Sequence, residues 1–149
     1  MWTLIESQET VGISSEMYEE FIFPYYREIA RGFGLVYYGC CEPVHSRLPY
    51  IKSLPNLRSV SVSPWCDQLQ AAQALGDKYV FSRKPLPTLI STQAFDEEEL
   101  FRDALETVKI ARGCPLEIIM KDVHTVNGDR SRMARWVRCV RRACEQYQP

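Results

Sequence analysis

Two hydrophobic periods take turns along this chain. Short β-branched and aromatic runs, each closed by a chain-reversing residue, predict strands at Leu35–Tyr38, Leu57–Val62, residues 79–82 and residues 116–120. Trp2–Ile5 is a fifth, shorter candidate. Between them the apolar spacing becomes helical. Ser15 is the expected cap of a helix that carries Met17, Phe21 and Ile22, is split by Pro24 and ends near Arg31 and Gly32. A short helix is expected over residues 45–54. Asp67 caps a segment that runs to Leu75 and stops at Gly76. Asp96 and Glu99 form a capping box ahead of Leu100, Ala104, Thr107, Val108 and Ala111, with Gly113 as the stop. A last helix opens near Asp129, with Met133, Trp136, Val137, Val140, Ala143, Cys144 and Tyr147 as its apolar stripe. Residues 85–93 are expected to be the longest loop.

Strict alternation of helix and strand predicts an α/β fold in one domain, 1–149, with about four parallel strands and outer crossover helices. No glycine-rich loop follows any strand, which argues against a dinucleotide site of the Rossmann type.

Composition narrows this further. At 46% hydrophobic and 25% charged residues the chain has the balance of a globular protein able to build its own core. The net charge of -1 argues against nucleic acid or membrane surfaces as general partners. No apolar run approaches the roughly 18 residues of a membrane span. Residues 1–6 lack the basic and apolar regions of an export signal, so a cytoplasmic location is expected, and with it free thiols at all six cysteines. Cys139 and Cys144 fall on the last helix as packing residues. Arg130, Arg132, Arg135, Arg138, Arg141 and Arg142 make that helix basic. Without interleaved aromatic residues it is expected to pair with acidic helices such as the one opening at residues 96–99, and not with nucleic acid.

Candidate chemistry concentrates after the strands, where parallel α/β folds build their sites. Those segments read Gly39-Cys40-Cys41-Glu42-Pro43, Ser63-Pro64-Trp65-Cys66, Ser82-Arg83-Lys84-Pro85 and Lys121-Asp122-Val123-His124-Thr125. The segments that precede the strands are bland. Cys41 and Cys40 are candidate metal thiolates, with Glu42 and His124 as further ligands or acid–base groups. An extended chain would turn only one of the two adjacent sulfurs toward the mouth. Arg83 and Lys84 are candidate anion clamps, with pairing to Asp122 or Glu42 as the plainer role. Lys121 and Asp122 form an internal pair with acid–base potential, and His45 opens a helix. Trp65 either walls a flat ligand or packs in the core; packing is the expectation.

These strand-end strings, together with residues 6–10 and 18–25, resemble the C-terminal half of the uroporphyrinogen decarboxylase superfamily over nearly the whole chain. The resemblance implies a partial, half TIM-type (β/α)8 barrel, since the family barrel is about twice this length. It also implies one of two activities. One is decarboxylation. The other is zinc-dependent methyl transfer between a corrinoid and a thiol. Either requires a completing subunit, because the decarboxylase's essential arginines and aspartate lie in the N-terminal half. The methyltransferases' His-x-Cys motif falls on Tyr38-Gly39-Cys40, with tyrosine in place of histidine, and His124 matches a histidine near the last strand. Zinc is the implied cofactor. The implied partners are a separate N-terminal half or a second copy, and a corrinoid protein. A cobalt-ligating Asp-x-His-x-x-Gly loop is only half echoed by residues 122–128. The competing expectation is a truncated, non-catalytic barrel subunit.

Overall fold

The computed structural model describes residues 1–146. Five strands form one sheet: β1 (Trp2–Ile5), β2 (Leu35–Tyr38), β3 (Leu57–Val62), β4 (Val80–Arg83) and β5 (Leu116–Ile118). They lie in chain order, and every neighbouring pair is parallel. Trp2–Ile5 is therefore a full member of the sheet, one strand more than the four well-marked runs. Its every-second pattern was hard to read because Trp2 and Leu4 are exposed apolar residues.

Seven α-helices link and flank the strands among the described residues: α1 (Ser15–Phe21), α2 (Phe23–Arg31), α3 (Leu48–Ile51), α4 (Gln68–Leu75), α5 (Thr88–Ser91), α6 (Glu97–Ile110) and α7 (Ser131–Gln146). Ser14, and not Ser15, caps α1; its hydroxyl accepts the Met17 amide at 3.2 Å. Pro24 opens α2 where its missing N–H costs nothing. Asp67 accepts the Gln70 amide, and Gly76 ends α4 at φ +53°. Asp96 caps α6 through the Glu98 and Glu99 amides. Residues 85–93, expected as a loop, contain α5.

The register divides the strand residues into two faces. Ile5, Val36, Tyr38, Val60, Val62 and Phe81 lie on one, and all belong to the main core with Tyr18, Phe23, Ala30, Leu48, Ile51, Ala71 and Leu75 from the helices. Full burial of each large side chain there contributes on the order of 1.5–3 kcal/mol. A second, smaller core gathers Ile90, Leu100, Trp136 and Cys139, with Ile118 packed against it. The other sheet face carries Trp2, Leu4, Leu35, Tyr37, Ser59, Ser61, Ser82 and Glu117, and no residue of either core.

The basic α7 pairs as its sequence implies. Arg135 meets Glu97 at 2.5 Å and Arg142 meets Glu98 at 3.3 Å, while their guanidinium groups lie over Phe95 and Phe101. Arg132 is buried and donates to the carbonyls of Ile90, Thr92 and Gln93, which fixes α7 to the chain after α5. The stripe is narrower than its spacing suggests. Trp136, Cys139 and Ala143 are buried, whereas Met133, Val137 and Cys144 are exposed. Tyr147 lies outside the described residues. No helix among the described residues is long and apolar enough to cross a membrane.

Candidate functional site

The loop after β2 sets the site. Gly39 has φ +92°, and a Cβ there would stand 3.2 Å from Cβ of Ser61, so both conformation and space favour glycine. The chain then bends instead of running extended. The carboxylate of Glu42 fixes the bend: one oxygen accepts the Cys40 amide at 2.8 Å and the other the Ser7 amide at 3.0 Å. Glu42 is buried, and both its oxygens are committed to backbone. Its place is structural, joining the ends of β1 and β2.

Because of that bend, both thiols face the same way, contrary to the expectation from an extended chain. The sulfurs of Cys40 and Cys41 are 3.5 Å apart. The Lys121 ammonium donates to both, at 2.7 and 3.1 Å, from the segment after β5. Cys41 donates to Asp122 Oδ2 at 3.3 Å, and Lys121 pairs with Asp122 at 3.5 Å. Asp122 takes φ +59°, a left-handed turn that Asp tolerates better than most residues.

Burial pushes the Cys40 thiol up to about 11; Lys121 pulls against this, while Glu6 and Cys41 add to it. Burial works against the Lys121 charge, but the two sulfurs outweigh it and hold the ammonium above the usual lysine value. Near neutral pH the pair is a thiol facing an ammonium.

Arg83 and Lys84 are adjacent and part company. Arg83 turns to the helix side of the sheet. There it donates to the Lys84 carbonyl at 2.7 Å and lies 3.6 Å from Asp103 of α6. Burial raises the Asp103 carboxyl and Arg83 opposes that rise. The partner of Arg83 is thus neither Asp122 nor Glu42. Lys84 lies on the other side, 6% exposed, with its ammonium 2.5 Å from Tyr37 Oη and 2.6 Å from Ser82 Oγ. No carboxylate pairs with it among the described residues.

A pocket of about 140 Å³ brings these groups together. Its walls include Cys40, Cys41, Lys84, Lys121, Asp122 and Trp65, with Pro64, Pro85, Leu86 and Pro87. Trp65 is 67% exposed, so it forms part of a rim and is not a core residue. His124 is exposed and does not line this pocket. His45 accepts the Asp67 amide at 3.2 Å on another face. The hydroxyl of Tyr38, which stands where the resemblance puts a metal-binding histidine, is hydrogen-bonded with those of Tyr18 and Ser7 at 2.7 and 2.9 Å. Burial holds that hydroxyl up to about 12.

Sequence reasoning missed the hydroxyl cradle of Lys84. The signal was available: Tyr37 and Ser82 share a sheet face once β2, β3 and β4 are aligned in parallel. Glu6, which helps raise the Cys40 thiol, follows β1, whose strand signal is weak, so its place beside the site has no clear mark in the sequence.

The donor set fits a thiophilic metal in part. Two thiolates bound to one tetrahedral zinc, each at about 2.3 Å, stand a little under 4 Å apart, close to the spacing here. A third ligand is missing. Among the described residues no group of three or more His, Cys, Asp or Glu side chains is placed to hold a metal.

Fold and site together define a parallel α/β protein whose sheet runs in chain order and whose ionisable and sulfur groups meet beyond the ends of β2, β4 and β5. Comparison with protein-family models, with curated proteins and with solved structures finds no match.

Proposed function

We propose that the chain is one lobe of a barrel of the uroporphyrinogen decarboxylase type, and that its rim pocket binds a small anionic ligand at Lys84 and Lys121 beside the Cys40–Cys41 pair. The barrel reading is supported by the winding. Doubly wound sheets reverse their strand order to place helices on both faces. Here the order never reverses, and both cores take strand residues from one face only. A sheet of this kind curls, with the face opposite the two cores as the barrel interior.

The ligand reading rests on Lys84. A buried ammonium is costly without a counter-charge, and hydroxyl groups supply none. A carboxylate or phosphate entering the pocket provides it, next to a second ammonium at Lys121. Anion-dependent thermal stability that disappears in Lys84→Met tests this. In an enzymatic lobe, Cys40 and Cys41 serve as two soft ligands of a metal such as zinc, with the remaining ligands supplied from beyond these residues. Such a metal would activate a thiol acceptor for methyl transfer. Zinc retained by the native chain and lost in Cys41→Ser is the corresponding test.

A second reading, a non-catalytic lobe that dimerises or pairs with a separate N-terminal half, is favoured by one observation. Trp2 and Leu4 on the edge strand are 53% and 58% exposed, and Leu35 beside them is 37% exposed, all at the β1–β2 edge of the face opposite the two cores.

A further inference from the structure

We infer that Cys40 and Cys41 form a vicinal dithiol that closes to a disulfide by exchange with small-molecule disulfides, with Lys121 as the group that holds the reacting sulfur. The inference does not rest on metal binding or on the barrel reading. It rests on three features found together. The two sulfurs already face each other at 3.5 Å, against the roughly 2.05 Å of a formed bond. One ammonium contacts both. Both line a pocket open to a small reactant. The other four cysteines offer none of this. Cys66 and Cys139 are buried, Cys114 donates to the Ala72 carbonyl, and Cys144 stands on the outer surface of α7.

The chemistry is a two-step exchange. Cys41 gives its proton to solvent on the side of Asp122, and its sulfur attacks one sulfur of the small disulfide, RSSR. A mixed disulfide forms on Cys41 and one thiolate leaves, to be protonated as RSH. The Cys40 thiolate, held at 2.7 Å by the Lys121 ammonium, then attacks Cys41 Sγ. The protein S–S bond forms, and the second RS⁻ departs and takes up the proton lost by Cys40. Two protein thiols are oxidised and one RSSR is reduced to two RSH. Closure removes both thiols from Lys121 and leaves its ammonium, with that of Lys84, facing the pocket. Oxidation thus changes the hydrogen-bonding groups that an anion meets, while Lys121 keeps its pairing with Asp122.

The experiment uses the whole chain after treatment with a chelator, equilibrated across ratios of oxidised to reduced glutathione. Trypsin releases residues 32–47 as one peptide, which contains Cys40 and Cys41 and no other cysteine. The expected result is a peptide lighter by two hydrogens, restored by dithiothreitol, while the other cysteines stay alkylatable. Cys40→Ser should stop at a glutathione adduct on Cys41. Lys121→Met should slow closure by roughly ten-fold near neutral pH, because the attacking Cys40 sulfur loses the ammonium that holds it. Stable adducts on the native peptide without closure would overturn the inference, as would closure at the same rate in Lys121→Met. Circular dichroism of each variant separates these results from loss of fold.

Discussion

Lys121 Nζ stands 2.7 Å from Cys40 Sγ, joining the segment after β5 to the bend after β2 across 81 residues of sequence. Burial of the Cys40 thiol, which this contact only partly offsets, has a pH signature. The folded thiol ionises near 11 and an ordinary thiol near 9, so the fold favours the protonated form. Its contribution to stability is complete below about pH 9. As pH rises toward 11 the unfolded chain releases the proton first, and the contribution is lost. Lys121, also raised, acts in the same direction at higher pH. Urea midpoints of the native chain are expected to fall between pH 9 and 11, and to fall less in Cys40→Ser. Iodoacetamide labelling of Cys40 should be slow at pH 7 and climb through the same window.

Lys84 is expected to behave as a functional residue whose buried charge contributes little to stability. Tyr37 Oη and Ser82 Oγ are bonded to each other at 2.7 Å, so they remain paired when the ammonium is removed. Lys84→Met keeps the buried stem and deletes the charge. In chloride the variant should melt at the same temperature as the native chain or a few degrees above it. In phosphate or a small dicarboxylate the native chain should gain stability and the variant should not. Equal gains in both proteins would remove Lys84 from the site.

Glu42 was a candidate catalytic base on sequence grounds, and its geometry predicts a different phenotype. Each of its oxygens accepts a backbone amide, from Ser7 and from Cys40. In Glu42→Gln one of those amides faces an NH₂ group and loses its acceptor. The expected cost is about 1–3 kcal/mol of stability, read from denaturant midpoints. Cys40 and Cys41 should also label faster as the bend loosens. Unchanged stability with lost ligand binding would instead return Glu42 to the chemistry.

Much of the fold was legible because its signals are local. Leu35–Tyr38 and Leu57–Val62 have the limits their patterns indicate, and Asp67, Asp96 and Gly76 act where capping chemistry puts them. The convergence of Cys41, Lys84, Lys121 and Asp122 on one pocket also follows from the rule that strand C-termini share a rim. Four features were illegible because they depend on tertiary geometry. Whether Cys40 joins Cys41 depends on a bend held by Glu42 and Gly39. The pleat sends Arg83 and Lys84 to opposite faces, but only the packing of α6 shows that Asp103 is the partner of Arg83. Trp65 reads as core by composition, yet the loop after β3 leaves it in solvent. His124 has pocket residues close by in sequence but an exposed position, which sequence spacing does not reveal.

The exposed β1–β2 edge of the sheet makes the last prediction. Apolar side chains on an exposed edge strand favour association, and natural sheets usually protect such edges with charge. β1 has no charged residue among Trp2, Thr3, Leu4 and Ile5, and its outer edge pairs with no other strand among the described residues. The purified chain should therefore self-associate in a concentration-dependent way by light scattering. Leu4→Lys places a charge on the exposed position and leaves buried Ile5 in place, so it should shift the chain toward monomer with little change in melting temperature. Exposed Tyr25 on α2 serves as the control, because it lies on the helix side of the sheet; Tyr25→Lys should leave the association as it was. A native chain that stays monomeric at high concentration would show that this edge does not bind a second copy, and the second-copy reading would fall with it.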